Sequence, residues 1–432
     1  MIHQQAIALN EVIQKENPAV FAMLSEKGKN IYFPKGGILA QGAQAKGKNI
    51  NATIGEAIAD NGKSMYFSEF DKYVTVELEN MYPYAPSFGK PDLRAAWKKL
   101  LYIKNPSLDG QLVSLPIVTN GLTHAISMAA FMFVNENDAI IMPDLFWENY
   151  ELLFTQSNNA RIETFNSFKN NRFDVEAFAD ALNNSKSEKI ITLLNFPNNP
   201  TGYTPTPAEA QAMQQAVLAV AEKGKKVIII TDDAYFGLVY EDGIFEESIF
   251  TKFNNLHENV LAVKLDGATK EDYVWGFRVG FMSYGIKNGS AALYEALEAK
   301  TAGALRGNIS NSNNLAQSLL VKLYNSPRYN DYKKEKYDIL KGRYTALKNA
   351  LHNKELGKYY DALPYNSGYF MCVRVKQGIH AEQVRKILLE KYSTGVIVFD
   401  DLIRIAYSAV PEDKIQLLVE NLYNACAEVA GK

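Results

Sequence analysis

The sequence predicts an α/β fold built on a mainly parallel sheet with helices on both faces. Short apolar runs rich in β-branched residues recur between residues 139 and 284, and helical segments such as Asp174–Asn183 and Thr206–Lys223 separate several of them. Runs without polar alternation are typical of strands buried on both faces. The composition, 47% hydrophobic and 22% charged over 432 residues, is that of a globular chain. The runs are Ala139–Met142, Lys189–Leu194, Lys226–Thr231, Val260–Leu265 and Val279–Tyr284.

The chain length and a change in the sequence pattern near residue 310 predict a second, smaller domain. At about 150 residues per domain, the length suggests two or three units. A long Lys- and Tyr-rich helical stretch, Asn311–His352, precedes strand-like Gly368–Val375, helix-like Ala381–Lys391 and strand-like Leu402–Tyr407, and an amphipathic helix, Glu412–Ala430, follows. We predict a large domain over 62–336, a small α+β domain over 337–432, and an N-terminal arm over 1–61 that is partly joined to the small domain.

The N-terminal arm is expected to hold one helix followed by an ordered Gly- and Lys-rich segment, Lys35–Lys48. The first 30 residues mix Glu and Lys and lack the continuous apolar core of a signal peptide. Two cysteines, Cys372 and Cys426, are too few for a disulfide framework or a tetrahedral zinc site, and we expect both to be buried. These features predict a cytoplasmic protein without a metal centre.

One uncharged stretch, Gly110–Asn135, has the length of a membrane span. Polar residues and a proline interrupt it, and its apolar second half amounts to about three helical turns. We therefore predict a buried helix entered through a glycine turn. The formal net charge of −2 provides no field for nucleic acid or an anionic membrane, so we expect neither as a partner.

Residues that could carry chemistry follow three of the apolar runs. Asn195–Gly202 follows the second run, Asp232 and Tyr235 follow the third, and Lys270 and Arg278 follow the fourth. The carboxyl ends of parallel strands meet at one edge of a sheet, where ligands bind in such folds. Taken singly, each has an ordinary structural explanation. Asn195–Gly202 could be a loop, Asp232 a helix cap, and Lys270 a solvated surface lysine. Their shared position predicts one site.

The residue types at this edge point to an amine nucleophile and an anion. Lys270 stands among small residues and near aromatics, where partial desolvation lowers the pKa of a lysine and favours its nucleophilicity. Arg278 is a permanent bidentate donor for phosphate. The segment Asn120–Thr123 leads into the uncharged helix, whose first N–H groups could hold an anion. A helix cap without a ligand remains the alternative there.

Together these motifs resemble those of the fold-type I pyridoxal-phosphate enzymes, specifically the class I/II aminotransferases. The resemblance extends from about Gly36 to Arg404. It implies a large domain with a seven-stranded, mainly parallel sheet, a smaller α+β domain, and pyridoxal 5′-phosphate as the cofactor.

The resemblance also implies roles for individual residues. Lys270 corresponds to the lysine that forms the internal Schiff base and then moves the proton between substrate and cofactor. Asp232 corresponds to the acid paired with the pyridinium nitrogen, Asn199 and Tyr235 to the pair that binds the ring hydroxyl, and Trp147 to the aromatic residue stacked on the ring. Asn199 and Trp147 would also contact the substrate.

The resemblance implies a phosphate site shared between two subunits. Tyr84 corresponds to a tyrosine that reaches the phosphate of the neighbouring subunit, which implies a homodimer. Gly267 stands where many relatives carry Ser or Thr, and Thr269 could replace that hydroxyl. Tyr273 stands at a position that is usually small. Within one chain the phosphate ligands would be Gly121, Leu122, Thr123, Thr269 and Arg278.

Two further arginines are expected to bind substrate. Arg404 corresponds to the arginine that binds the substrate α-carboxylate. Arg306 resembles an arginine that binds a side-chain carboxylate across the subunit interface, with a solvated or structural arginine as the alternative. On this basis we expect an aromatic or acidic amino acid as the amino donor.

The expected function is transfer of an α-amino group from an amino acid to a 2-oxo acid by a ping-pong mechanism. A carbon–sulfur β-lyase or a decarboxylase of the same fold type would share every cofactor contact. A cofactor-sensing regulatory domain fused to a DNA-binding unit is a third hypothesis. The lack of a basic helix-turn-helix segment before residue 80 and the near-zero net charge argue against it.

Overall fold

A seven-stranded sheet forms the centre of the computed structural model, which describes residues 2–34, 37–68, 70–352 and 356–431. Lys35 and Gly36, where the predicted arm segment and the family resemblance begin, lie outside the described residues. The strands are β1 (Ile117–Thr119), β2 (Ala139–Pro143), β3 (Arg161–Phe165), β4 (Lys189–Asn195), β5 (Lys226–Asp232), β6 (Val260–Gly267) and β7 (Gly280–Ile286).

The strand order is β1-β7-β6-β5-β4-β2-β3, and the sheet is parallel from β6 through β3. Strand β7 is antiparallel to both of its neighbours, β1 and β6. The mainly parallel sheet is thus confirmed.

Helices cover both faces of the sheet, as the unbroken apolar strands predicted. Alternate residues of β5 enter different apolar clusters. Ile228 and Ile230 belong to the cluster that contains the apolar face of helix Leu122–Phe133. Val227 and Ile229 belong to the cluster formed with helices 175–184 and 207–222. The helices of this part are Leu78–Met81, Pro91–Lys104, Leu122–Phe133, Glu151–Gln156 (a π-helix), Val175–Asn184, Pro207–Glu222, Phe250–Phe253, Ala268–Glu271, Ala291–Asn308 and Asn314–Tyr324.

The C-terminal part forms an antiparallel sheet with the order β8-β9-β11-β10. Its strands are β8 (Tyr360–Ala362), β9 (Phe370–Val375), β10 (Ile397–Phe399) and β11 (Leu402–Ala406), and its helices are Tyr329–Leu351, Ala381–Glu390 and Ile415–Val429. The described residues also form two short two-stranded sheets. In one, Ile50–Asn51 pairs with Thr394–Gly395, and in the other, Phe168–Lys169 pairs with Arg172–Phe173. The first of these sheets attaches the N-terminal arm to the C-terminal part. Short 3₁₀ turns lie at Phe70–Tyr73, Pro106–Leu108, Trp275–Phe277, Leu356–Lys358, Tyr407–Ala409 and Glu412–Lys414.

The N-terminal arm contains several helices instead of the single helix that the sequence predicted. They are Gln4–Glu16, Pro18–Met23, Glu26–Asn30 and Gly37–Gln44. The first break occurs because the side chain of Asn17 accepts hydrogen bonds from the backbone N–H groups of Ala19 and Val20, and Pro18 takes the first position of the next helix.

The stretch Asn311–His352 also divides into two helices, Asn314–Tyr324 and Tyr329–Leu351. Pro327 lies between them, and a proline cannot continue the helical hydrogen bonding. The second helix contains residues 336 and 337, so the domain boundary predicted there falls inside a continuous helix.

The uncharged stretch contains the buried helix that was predicted, Leu122–Phe133, with Gly121 as its N-cap at φ 80°. Among the described residues, no helix combines the length and the apolar character needed to cross a membrane. Both cysteines are buried and unpaired.

The turn after β4 contacts the C-terminal sheet so closely that only glycine fits, which gives a test of this contact. Gly202 has φ 72°, and a Cβ there would lie 1.9 Å from the Phe370 carbonyl oxygen. We expect Gly202→Ala to lower the free energy of unfolding by about 3 kcal/mol or more, because the clash adds to the backbone strain.

Gly224→Ala is the matched control. Gly224 has φ 93°, and a Cβ there would meet nothing within 4 Å, so strain alone should cost about 1 kcal/mol. Urea unfolding of both variants measures the difference between their free energies of unfolding. An equal decrease in the two variants would contradict the close contact at Gly202.

Candidate active site

One cavity of about 220 Å³ lies at the carboxyl edge of the sheet, where β4, β5 and β6 end. Strand register aligns Asn195 with Asp232, and Asp232 with Leu265, so the segments that follow these strands begin side by side. The cavity gathers most of the residues that the sequence motifs indicated. They are Leu122, Thr123, Trp147, Asn199, Asp232, Tyr235, Thr269, Lys270, Arg278 and Arg404.

Asp232 is a buried carboxylate with two fixed hydrogen bonds. It is 2% exposed, and its carboxylate accepts from the Tyr150 hydroxyl at 2.6 Å and from the Ala234 backbone N–H at 3.0 Å. Burial raises the pKa of Asp232, while the Tyr150 hydroxyl, the charge of Lys270 and the Ala234 N–H oppose that rise. The side chain therefore presents a rigidly oriented acid to the cavity.

Tyr150 lines the same cavity, although the sequence motifs did not indicate it as a site residue, and so does Asn195, the first residue of the indicated segment Asn195–Gly202. Tyr150 is buried, and burial raises its pKa far above the usual value, so it acts as a hydrogen-bond donor. Tyr150 is three residues after Trp147, and this spacing, which places two side chains on one face of a helical turn, was the only sign in the sequence that it could reach the site. The Asn195 side chain donates to the Asp232 carbonyl at 2.8 Å and accepts from the Asn199 backbone N–H at 2.8 Å. It thus connects the ends of the two strands.

Lys270 lies on a single helical turn, Ala268–Glu271, directly after β6. Its Nζ is 4.7 Å from the centroid of the Tyr235 ring. Burial, with a smaller contribution from the positive charge of Arg278, lowers the pKa of Lys270 to about 8 despite the opposing charge of Asp232. About a tenth of the amine is then unprotonated at neutral pH, far more than for an ordinary lysine.

Arg404, on β11, is a buried cation whose hydrogen-bond partners are neutral oxygens. It is 2% exposed, donates to the Asn199 side-chain oxygen at 3.2 Å and the Thr53 carbonyl at 3.3 Å, and lies 4.4 Å from the Phe370 ring centroid. Among the described residues, its Nε has no hydrogen-bond partner and no Asp or Glu is within ion-pair distance, although the charge of Glu148 acts on it from farther away. A buried guanidinium in this state is suited to an incoming carboxylate.

The opposite side of the cavity is suited to a phosphate. The first N–H groups of helix Leu122–Phe133 have no side-chain cap, and the Arg278 guanidinium lies against Gly121, where a Cβ would be 2.6 Å from Nη2. The buried Thr269 hydroxyl has no hydrogen-bond partner among the described residues. Three kinds of donor thus line one cavity.

The two departures from the family pattern have structural reasons. Gly267 faces the antiparallel strand β7, and a Cβ there would lie 3.0 Å from the Val279 carbonyl oxygen, so a larger side chain would be crowded. Tyr273 adopts φ 57° and packs its buried ring against Phe67 and Trp275, with centroids 5.5 and 5.9 Å away.

Tyr84 and Arg306 lie outside the cavity. Tyr84 is 89% exposed. Arg306 is in the last turn of helix Ala291–Asn308, and its Nη1 donates to the Ser310 hydroxyl at 3.2 Å. Both were expected to act across a subunit interface, so their roles stay predictions.

A second cavity of about 470 Å³ adjoins the first and shares Ile38, Thr123 and Trp147 with it. We call it the annex. Much of its wall comes from the N-terminal arm, including Tyr32, which stacks on His3 with ring centroids 4.1 Å apart. Its remaining lining residues are Gln5, Pro34, Gly37, Leu39, Glu148, Asn149, Glu151 and Leu152.

The donor set fits pyridoxal 5′-phosphate and shows no metal site. One amine, a buried acid, an unpartnered hydroxyl beside an arginine, and a helix N-terminus face a single cavity. Among the described residues, no group of three or more His, Cys, Asp or Glu side chains could hold a metal ion.

Comparison with known proteins agrees with this geometry. The family described as "Aminotransferase class I and II" matches residues 74–422. A probable N-acetyl-LL-diaminopimelate aminotransferase of Bacillus subtilis is 25% identical over 47% of this chain and 48% of its own length. The aspartate aminotransferase of Bacillus sp. (strain YM-2) is 26% identical over 57% of each chain. The chain thus aligns with about half the length of the curated relatives it matches.

Two solved structures extend the similarity to nearly the whole chain. An aminotransferase from Anaerococcus prevotii superposes with a TM-score of 0.82 at 27% identity, covering 93% of this chain and 98% of that one. A kynurenine aminotransferase of Pyrococcus horikoshii, in complex with PMP, shares the fold with a TM-score of 0.78 at 18% identity, covering 95% and 98%. The chain therefore belongs to the class I and II aminotransferase family, whose members use pyridoxal 5′-phosphate.

Proposed function

We propose that the chain is an aminotransferase that moves the α-amino group of an amino acid to a 2-oxo acid. The observation that carries the proposal is that the Lys270 amine and the Arg404 guanidinium, whose Nε has no hydrogen-bond partner among the described residues, line one cavity. An amino acid whose carboxylate binds Arg404 would bring its α-carbon toward Lys270. The same two contacts serve the amino acid and the 2-oxo acid in turn, which a ping-pong reaction requires.

The residues around the cavity have complementary roles toward the cofactor. Pyridoxal 5′-phosphate, when bound, supplies an aldehyde that takes up the amino group and a ring that accepts the electrons of the α-carbon. Arg278, Thr269 and the start of helix Leu122–Phe133 would hold its phosphate. Asp232 would bind the ring nitrogen, with its geometry set by Tyr150. The remaining ring contacts would come from Asn199, Tyr235 and Trp147.

Lys270 is proposed to move the proton during the reaction. With a pKa of about 8, its amine accepts a proton from the substrate α-carbon readily and also returns one. Asn199 would keep Arg404 in place, because its side-chain oxygen accepts a hydrogen bond from that guanidinium. The amide nitrogen of Asn199 is then left to donate toward the cofactor.

Of the two expected donor classes, the annex favours aromatic amino acids. Tyr32, Ile38 and Trp147 give it apolar walls next to the first cavity. Glu148 also lines the annex, and its negative charge would repel a second substrate carboxylate. Arg306, the basis for expecting acidic donors, lies outside this cavity within one chain.

We further propose a cytoplasmic homodimer. The high exposure of Tyr84 and the family membership support a second subunit that completes each site. The two unpaired thiols, Cys372 and Cys426, support a reducing compartment.

Replacing Lys270 tests the proposed function. We expect Lys270→Ala to lose at least about a thousandfold in kcat, because the proton loses its carrier. Lys300→Ala, at an exposed position of helix Ala291–Asn308, is the control and should keep full activity. The measurement is 2-oxo acid formation from each of the twenty amino acids, with a 2-oxo acid as acceptor.

The same assay separates the alternatives. Stoichiometric transfer to the acceptor supports an aminotransferase, whereas release of ammonia and pyruvate indicates a β-lyase and release of carbon dioxide a decarboxylase. A Lys270→Ala variant with full turnover would contradict the assignment of Lys270.

Replacing Glu148 tests the donor class. We expect Glu148→Gln to raise kcat/KM for aspartate and glutamate by about fivefold, since roughly 1 kcal/mol of repulsion is removed at a solvated site. The kcat/KM values for phenylalanine and tyrosine should stay within about twofold of the wild-type values. Glu163→Gln, on β3 and outside both cavities, is the control. If the ratio of kcat/KM for acidic donors to kcat/KM for aromatic donors is unchanged in Glu148→Gln, this role of Glu148 is contradicted.

A further inference from the structure

A buried ionic cluster lies directly behind Lys270, outside both the first cavity and the annex. Glu271 is 4% exposed, and its carboxylate accepts from Lys104 Nζ at 2.8 and 3.0 Å and from Lys333 Nζ at 2.6 Å. Asp272 is fully buried and accepts from the hydroxyls of Tyr324, at 2.8 Å, and Tyr329, at 2.7 Å. None of these residues lines either cavity.

The position of Lys270 depends on the backbone that carries it. Its amine makes no hydrogen bond or ion pair to a described side chain, and it lies against the Tyr235 ring. The helix that bears it, Ala268–Glu271, has a single turn. One turn of helix has little stability of its own. Something outside the turn must therefore hold it.

Glu271 supplies one such connection, and the Tyr369 hydroxyl, which donates to the Lys270 carbonyl at 3.3 Å, supplies another. Glu271 adjoins Lys270 in sequence, but its side chain points into the protein interior, while Lys270 faces the cavity. Its two lysine partners come from different elements: Lys104 ends helix Pro91–Lys104, and Lys333 lies near the start of helix Tyr329–Leu351. The turn is thus held from two directions.

The same cluster also holds the strand that precedes the turn. Lys104 Nζ lies 4.3 Å from the Trp97 ring centroid, and the Trp97 indole N–H donates to the Asp266 carboxylate at 3.1 Å. Asp266 immediately precedes Gly267, the last residue of β6. Residues on both sides of Lys270 are therefore bound to helix Pro91–Lys104.

We propose that Glu271, held between Lys104 and Lys333, is a positioning residue that fixes the turn bearing Lys270 and so directs its amine at the substrate α-carbon. The proposal rests on the proposed function of Lys270. Glu271 touches neither substrate nor cofactor and acts through the backbone of its neighbour. Losing its charge leaves Lys104 and Lys333, whose side chains are 17% and 27% exposed, without their main partner, and the turn is free to shift.

The test compares Glu271→Gln with Glu298→Gln in the cofactor-loaded enzyme. Glu298 is a matched control, because it is 6% exposed and pairs with Arg94 at 2.7 Å, but no residue lining either cavity adjoins it in sequence. Each variant is assayed for kcat, KM, thermal unfolding, and the isotope effect on kcat with an α-deuterated amino donor.

We expect Glu271→Gln to lower kcat at least tenfold, with KM within about threefold of the wild type, because a misplaced amine slows proton transfer more than binding. The isotope effect should increase, since proton transfer becomes slower than the other steps. Glu271→Asp, which keeps the charge, should recover part of kcat. Glu298→Gln should lose stability with little change in kcat or in the isotope effect.

Equal kcat and isotope effects in Glu271→Gln and Glu298→Gln would overturn the proposal. If Glu271→Gln does not fold, Lys333→Met removes one of the two anchors and leaves Lys104 in place; a wild-type kcat and isotope effect in that variant would overturn the proposal equally. A wild-type enzyme that transfers no amino group refutes the proposed function instead, so the two failures are distinguishable.

Discussion

The close approach of three backbones at Gly280 is the constraint on which the site depends. Gly280, the first residue of β7, pairs with Thr119 on one side and with Gly267 on the other. A Cβ on Gly280 would lie 2.6 Å from the Gly121 carbonyl carbon. Because Gly280 has no side chain, the backbone of Gly121 and the side chain of Thr119 can approach it closely, and the segments attached to the three strands converge. The helix start follows Thr119, Arg278 precedes Gly280, and Thr269 follows Gly267.

Buried polar groups lie on both sides of Gly280, where the three strands meet, and they differ in the partners that they have. Behind Gly280, buried charges form ion pairs, as in the Lys264 ammonium between Asp233 and Asp266 and in Glu271 between its two lysines, although Asp233 Oδ1 has no hydrogen-bond partner among the described residues. In front, the Thr269 hydroxyl and the Arg404 Nε form no ion pair and no hydrogen bond to any described residue. Buried polar groups cost free energy unless they are hydrogen-bonded. The Thr269 hydroxyl and the Arg404 Nε belong to residues that line the cavity with Lys270, and we propose that the cofactor and the substrate bind there.

The sequence predicted the parallel strands well because β4, β5 and β6 are continuous apolar runs ended by polar residues. It also predicted Asp232 and Lys270 as members of one site, since strand ends meet at one edge of the sheet, whereas Arg404 was added to the site only by the family resemblance. Tyr150 was missed, because a tyrosine three residues after a tryptophan is indistinguishable from core packing until Asp232 is known to lie beside it. The partners of Glu271 could not be predicted either. They come from helices about 60 and 170 residues away in the chain, and no local pattern encodes such a contact.

The most direct measurement is a crystal structure of the protein loaded with pyridoxal 5′-phosphate. We predict a cofactor covalently attached to Lys270, with its phosphate against the start of helix Leu122–Phe133, the Thr269 hydroxyl and Arg278, and with its ring nitrogen beside Asp232. A cofactor attached to another lysine, or a phosphate located away from the junction at Gly280, would contradict it.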